Sequence, residues 1–345
     1  MKAWRLSAFG NYEHLHLEEI EDVRPEEGEV VVNVKAAGVN PVDRSMIMGR
    51  FDWMKLPGVP GAEFCGIVEE TGRGSEWLAG KRVAVYPRIF CGRCYYCLRG
   101  DETACLNNQY IDRAPYVMGI VRPGGWSERV AVPAQNVIEL PDGVSFEQAS
   151  TVPVDGGTAL RMVARARPEL NEFMLVMGAT GGVGMFVVQF GRLFGCEVAA
   201  VASSASQVSE LKRIGATHVI MRDANIVTEV KQLTDGRGAD IVVDPLGSAT
   251  FQQSTEALAA LGRYVTCGIL TGAKAELNLM RLYSMQLSYI GSTNMRRIDI
   301  VKALRMMASG KIIAPVDSTF EFEKLKDALA RLDAHGRLGK VVLVR

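Results

Sequence analysis

The stretch "FMLVMGATGGVGMFVVQFGRLFGCEVAAVASS", residues 173–204, decides the fold. Its first five residues are a short apolar run, which is how a strand buried in a parallel sheet reads. Gly178, Gly181, Gly182 and Gly184 then bracket a tight turn. Val183, Phe186, Val187, Phe190 and Phe194 follow at helical spacing on one face, and a second apolar run occupies 198–202. Strand, glycine turn, helix, strand is the mononucleotide-binding unit of a doubly wound α/β fold. The glycines let the backbone approach a pyrophosphate, whose charge rests on the helix N-terminus. Gly181, Gly182 and Val183 are therefore candidate cofactor contacts. A ligand-free glycine turn would leave four glycines in seven residues unexplained.

The end of the second strand bears on the choice of cofactor. A site for NAD usually carries Asp or Glu there, holding the ribose 2′-hydroxyl. This chain has Ser203, Ser204, Ala205 and Ser206, with Lys212, Arg213 and Arg222 downstream. A 2′-phosphate would meet no carboxylate and would find hydroxyl donors, so NADPH is expected. A merely solvated serine loop would leave NADH nearly equal.

Outward from this unit the pattern divides. From about 150 to 293, helix and strand segments alternate, and Asp244 and Gly268 end strands where such sheets form their ligand crevice. Before 150, short apolar runs such as "EVVVNVKAAGVN", "FCGIVEETG" and "KRVAVYP" alternate with turns, as in a mainly antiparallel β domain. Three segments result: 1–154, 155–293 and a closing 294–345. A chain of 345 residues exceeds one ordinary core. Residues 107–125 read as a mobile loop near a cleft. Trp53, Tyr110, Tyr116 and Met118 could line a pocket or pack loops.

Four of the seven cysteines lie in "CGRCYYCLRGDETAC", residues 91–105. Cys91, Cys94, Cys97 and Cys105 could complete a tetrahedral zinc shell with every corner taken by sulfur, the mark of a structural site. Four reduced cysteines in a loop, or an iron–sulfur cluster, are the other readings; the missing proline after the fourth cysteine disfavours the latter. Cys65, Cys196 and Cys267 sit in apolar contexts and read as core residues. Lys plus Arg and Asp plus Glu both number 39, which argues against nucleic acid or an anionic membrane recognised by bulk charge. No secretory leader is visible in "MKAWRLSAFG", and no apolar run reaches the ~18 residues of a membrane span. A soluble, cytoplasmic protein acting on a small molecule is expected.

The stretches "GVNPVD" (38–43), "PGAEFCG" (60–66), the cysteine lobe, "GATGGVG" (178–184) and "GKVVLV" (339–344) make the chain similar to the medium-chain dehydrogenase/reductase superfamily. The resemblance implies a GroES-like catalytic domain around a Rossmann domain, one structural zinc in the lobe, and a dimer or tetramer, with 286–292 as the joining strand. It also implies where a catalytic zinc would sit, and there the chain departs: Asn40 stands in place of a Cys, Ala62 in place of a His, and the third ligand falls near Val154–Asp155. None of His14, His16, His218 and His335 falls in these motifs. Asp43, Glu63 and Asp155 remain nearby; an all-oxygen set suits Mg or Ca better than zinc. Asn40 in this motif resembles the quinone oxidoreductase branch and its enone and acryloyl-CoA reductase relatives. By that resemblance Asn40 lies beside the nicotinamide, Thr158 contacts its carboxamide, Gly268 and Ile269 cover the nicotinamide half, and Arg222 suits a 2′-phosphate. Ser45 stands where some relatives carry a Tyr proton donor.

The expectation is NADPH-dependent hydride transfer to a quinone or an α,β-unsaturated carbonyl without a catalytic metal. A dehydrogenase of alcohols or sugars with an atypical metal site, and a catalytically weak NADPH-binding protein, are the alternatives.

Overall fold

The computed structural model describes residues 1–50, 54–108 and 116–345. Its strands are β1 (Lys2–Leu6), β2 (Leu15–Glu19), β3 (Glu29–Val39), β4 (Glu63–Thr71), β5 (Arg82–Val85), β6 (Arg129–Pro133), β7 (Val137–Glu139), β8 (Phe173–Val176), β9 (Glu197–Ala202), β10 (His218–Met221), β11 (Ala239–Asp244), β12 (Leu258–Thr266), β13 (Ser288–Gly291), β14 (Val316–Glu321) and β15 (Lys340–Val344).

Strands β8 to β13 form a six-stranded sheet in the order β10-β9-β8-β11-β12-β13, every pair parallel. Phe173, Met174, Leu175 and Val176 of β8 are 2 % exposed or less, because helices cover both faces of the sheet. The helix Gly182–Leu193 buries Phe186, Val187 and Phe190 completely. Phe194 departs from the expected apolar face: it caps the C-terminus and is 42 % exposed.

The other main sheet runs β14-β15-β3-β4-β5-β7, with β6 also on β3. One edge of the long β3 is shared, its first half pairing β6 and its last four residues pairing β15. The chain end thus returns to the first domain. The helix before it, Arg297–Ala308, packs Ile300, Ala303, Leu304 and Met307 into a core that holds the helix Gly157–Ala166 and also Ala36, Cys65 and Ala84 of the first sheet. Part of the loop expected to be mobile is firmly packed: Met118 is fully buried, and Val117 and Ile120 join it in the core of the first domain. Tyr116 is 43 % exposed, and Trp53 and Tyr110 lie outside the described residues.

This topology brings "GVNPVD", "PGAE" and "GKVVLV" together. β3 delivers Asn40 at its end, β4 begins with Glu63, and β15 begins with Lys340. Gly339 pins this corner to the second domain, its N–H donating to Thr180 O of the glycine turn at 2.9 Å.

Candidate active site and cofactor cleft

Between Thr151 and Gly156 the backbone forms one π-helical turn, with Gly156 N–H reaching back to Thr151 O at 3.1 Å. Such turns leave amides unpaired within the helix. Here Val154 and Asp155 N–H donate to Glu63 Oε1 at 2.6 and 3.3 Å. The other oxygen of Glu63 accepts Asn40 Nδ2 at 3.1 Å and pairs with the ammonium of Lys340. That ammonium also donates to Asn40 Oδ1 and, at 3.0 Å, to Asp155 Oδ2. All four residues are 5 % exposed or less.

Two glycines make room for this quartet. A Cβ at Gly38 would lie 2.6 Å from both Glu63 Oε2 and Lys340 Cε, and one at Gly182 would lie 1.8 Å from Asp155 Oδ2. The second contact sets the quartet directly against the glycine turn. Thr158 follows two residues after the π-turn, 7 % exposed. Asp43 does not join: its oxygens accept Asn40 N–H at 2.9 Å and Ala62 N–H at 3.2 Å, a helix cap. Ser45 is buried in the same helix, Pro41–Ile47.

Burial dominates the electrostatics. It raises Glu63 to about 7, with Lys340 opposing and Asp155 reinforcing, and raises Asp43 to about 6. One ammonium cannot neutralise two carboxylates in a dry site, so the folded chain holds an extra proton there. A raised carboxyl pKa means that the native state binds more protons than the unfolded chain between about 4.5 and 7. Stability should therefore fall as pH rises through that window. Glu63→Gln should flatten the dependence, leaving the smaller contribution of Asp43 below about 6. Urea denaturation at several pH values checks this; an unchanged slope in the variant would refute the assignment.

The glycine turn fits a dinucleotide. Among the described residues the amides of Gly182 and Val183 have no acceptor within the protein, as first-turn amides of a twelve-residue helix do not. A Cβ at Gly181 would meet only Gly178 O, at 3.5 Å, so the backbone there stands open to a ligand. Gly268 lies against Pro245 O, where a Cβ would come within 2.0 Å, and Ile269 is half exposed at the mouth. At the end of β9, Gln207 fills the corner that sequence reading left to the serines. It is 1 % exposed and its Oε1 accepts Ser203 N–H, Ser203 Oγ and Ser204 N–H at 3.0 to 3.1 Å. Arg222 is exposed beside them, its N–H on Ala202 O at 2.8 Å. No carboxylate side chain enters this corner's hydrogen bonding among the described residues.

In the lobe, Cys91, Cys94, Cys97 and Cys105 bring their sulfurs within 4.8 Å of one another. The Cys91–Cys97 and Cys94–Cys97 separations are 3.9 and 3.5 Å, near the roughly 3.8 Å that four Zn–S bonds of about 2.3 Å give in a tetrahedron. Amides of Cys91 and Leu106 donate to Cys105 and Cys94 sulfurs at 3.4 Å. Amide donation from Cys97 and Leu106 lowers the Cys94 thiol to about 6, the direction a thiolate ligand needs. This donor set fits zinc. The quartet does not: Ala62 offers no donor, Asn40 is an amide, and both carboxylates converge on an ammonium. The all-oxygen cluster of Asp43, Glu63 and Asp155 is not assembled.

Residues 26–142 match the alcohol dehydrogenase GroES-like domain and 182–309 match the zinc-binding dehydrogenase domain. The chain is 32 % identical to an NAD-dependent alcohol dehydrogenase of Sulfolobus acidocaldarius over 99 % of each chain. It is 29 % identical to an acryloyl-coenzyme A reductase of Metallosphaera sedula over 97 % of each. A cobalt- and zinc-bound thermostable alcohol dehydrogenase from Pyrobaculum aerophilum matches all of this chain and 99 % of its own, at TM-score 0.91 and 38 % identity. The chain belongs to the medium-chain dehydrogenase/reductase superfamily.

As a member of this superfamily it is an oxidoreductase. Its fold is the expected GroES-like sheet joined to a Rossmann sheet. Among the described residues no helix is long and apolar enough to cross a membrane. Sequence reading missed Lys340 and Gln207 as site residues. The available signal for Lys340 was a single charge opening the otherwise apolar strand "KVVLV".

Proposed function

We propose that the protein reduces a quinone or an α,β-unsaturated carbonyl, of the enone or enoyl-CoA type, using NADPH and no catalytic metal. The observation that carries this reading is the Lys340 ammonium held among Glu63, Asp155 and Asn40, next to the positions Asn40, Ala62 and Val154–Asp155 where the family resemblance would put the ligands of a catalytic zinc. Oxidising an unactivated alcohol is helped by a Lewis acid that stabilises the alkoxide, or by a free general base that takes the hydroxyl proton. An acceptor polarised by its own conjugation needs only hydrogen bonds to the developing oxyanion or enolate. Bound at the glycine turn, the cofactor would supply hydride.

The chain's own residues bind and orient. Gly182 and Val183 present open amides to the pyrophosphate, and Gly181, whose own N–H donates to Gly178 O at 3.1 Å, leaves its backbone uncovered beside them. Ser203, Ser204 and Arg222 face the adenosine ribose, and the lack of a carboxylate among them supports NADPH. Thr158, Gly268 and Ile269 flank the nicotinamide half. Asn40 acts as a positioning residue, since both heteroatoms of its amide are engaged by Glu63 and Lys340. Zinc in the cysteine lobe is structural in this reading. The edge strand β13, with exposed Leu279, Met280 and Tyr283 beside it, supports pairing with a second copy, to be checked by light scattering.

NADPH oxidation with benzoquinone, enones and acryloyl-CoA, alongside alcohol and polyol oxidation, tests the proposal. Turnover of the conjugated acceptors with one zinc per chain is expected. Brisk alcohol oxidation with two metals per chain and inert acceptors would reverse it, in favour of the alcohol dehydrogenases among the relatives.

A further inference from the structure

Four arginines line one cavity of about 480 Å³ on the second domain: Arg161, Arg165, Arg167 and Arg263, joined by Ser288 and Ile290 of β13. The cavity lies at the end of the parallel sheet away from the glycine turn. Arg263 pairs with Ser288 on one side and with Ile241 on the other, level with Met174 near the start of β8. The glycine turn follows the end of β8, so this cavity is separate from the expected cofactor crevice.

Local structure explains why the arginines converge. Arg161 and Arg165 stand four apart on the helix Gly157–Ala166, hence on one face, where like charges repel. Arg167 caps the same helix at φ +50°, a left-handed position where glycine is usual. A second cavity of about 280 Å³ continues from Arg161 and Arg165 toward the cysteine lobe, reaching Tyr96 and Asp101. The two cavities form one groove along the edge strand β13.

The positive charge of this groove is only half answered. Arg161 donates to Asp101 Oδ1 at 3.2 Å. Arg263 pairs with Glu172 and donates to Ala166 O and Arg167 O at 3.0 and 2.8 Å. Arg165 and Arg167 are exposed and form no ion pair among the described residues. Burial, Arg296 and Arg165 lower the Arg161 pKa against Asp299 and Asp101, the direction expected of a cation held among cations. The negative end of the helix dipole favours a cation in the last turn. It does not call for four on one cavity, and no carboxylate is among the residues lining the larger one.

Two guanidiniums thus remain for a ligand of charge near −2. A phosphomonoester carries about −1.5 to −2 at pH 7, and the planar fork of arginine matches its oxygens two at a time. The larger cavity falls within the roughly 300–1,000 Å³ of small-molecule sites. Ile290 and Ala164 give it an apolar wall for the organic part.

We infer that this groove is a second ligand site, taking a small phosphomonoester between Arg165, Arg167 and Ser288. The inference is independent of which acceptor is reduced in the cleft.

Isothermal titration calorimetry of the full chain with phenyl phosphate, at fixed ionic strength, tests it. Saturable binding is expected, and it should persist in excess NADPH. Phenyl sulfate, with a single charge, should bind more weakly; equal binding would overturn the charge match. Arg165→Gln combined with Arg167→Gln should weaken phenyl phosphate on the order of tenfold or more, since each change removes a charge-assisted contact. Lysine at both positions should recover part of the loss. Both side chains are exposed, so the variants should melt with the parent, which differential scanning calorimetry checks. Binding that NADPH abolishes and that the double Gln variant leaves within threefold would place the anion in the cofactor cleft and overturn the inference. So would a native chain showing no saturation at millimolar phenyl phosphate. If the double Gln variant of such a chain also dissociates in light scattering, acidic side chains of a second copy fill the groove instead.

Discussion

Lys340→Met should destabilise the protein by about 3–5 kcal/mol, the range for removing one partner of a buried ion pair. The side chain is 1 % exposed and serves three partners, Glu63, Asp155 and Asn40. Methionine fills much the same volume, so the loss is electrostatic and not a cavity effect. Two carboxylates would remain in a dry site with no cation. Glu63 would keep its bonds from Val154 and Asp155 N–H, while the Asp155 carboxylate would lose Lys340, its hydrogen-bond donor among the described residues. A fall in melting temperature on the order of 10 °C should follow. Adding Glu63→Gln to Lys340→Met should recover part of it, because the amide removes one buried charge and keeps an acceptor for the two amides. Calorimetry on the three chains checks this. A single variant melting within 2 °C of the parent would mean that water reaches the quartet and that the ammonium does not organise it.

The second large effect concerns the cysteine lobe. Cys97→Ser, or treatment with a strong chelator, should reduce bound zinc from about one per chain toward zero and unfold residues 91–105. The lobe has almost no core of its own. Its α-helix, Tyr95–Leu98, buries nothing, and Tyr95 and Leu98 are 61 % and 75 % exposed. Only Thr103 and Cys105 within it are buried. Apparent zinc affinities of about 10–16 kcal/mol in small zinc domains indicate how much order one ion can impose where packing does not. The two sheets should survive, since their cores do not draw on the lobe. Limited proteolysis should cut selectively within 91–105 after zinc removal. A lobe that resists protease at zero zinc would show that Arg161–Asp101 and neighbouring contacts suffice.

Much of the architecture was legible because it repeats locally. The apolar run at 173–177, the glycines from Gly178 to Gly184 and the helical spacing of Phe186, Val187 and Phe190 specify a parallel strand, a tight turn and a half-buried helix within one short segment. Phe194 misled by the same logic: it continues the period, but the helix has already ended and Gly195 turns the chain at φ +85°. The four cysteines were equally legible, because a tetrahedral shell draws on neighbours in sequence. The expected absence of a carboxylate at the end of β9 could likewise be read directly, but not that Gln207, three residues beyond Ser204, would take the serine amides for itself.

What the sequence determined alone was the set of elements, the glycine turn, the sulfur shell and the missing Cys and His of a catalytic zinc. The tertiary structure decided what occupies that position. Asn40, Glu63, Asp155 and Lys340 are spread over three hundred residues and meet only because β15 pairs antiparallel with β3 while a π-turn offers two amides to Glu63. Charge pairing in a dry site depends on distances of about 3 Å, and no periodicity along the chain encodes a distance between its two ends.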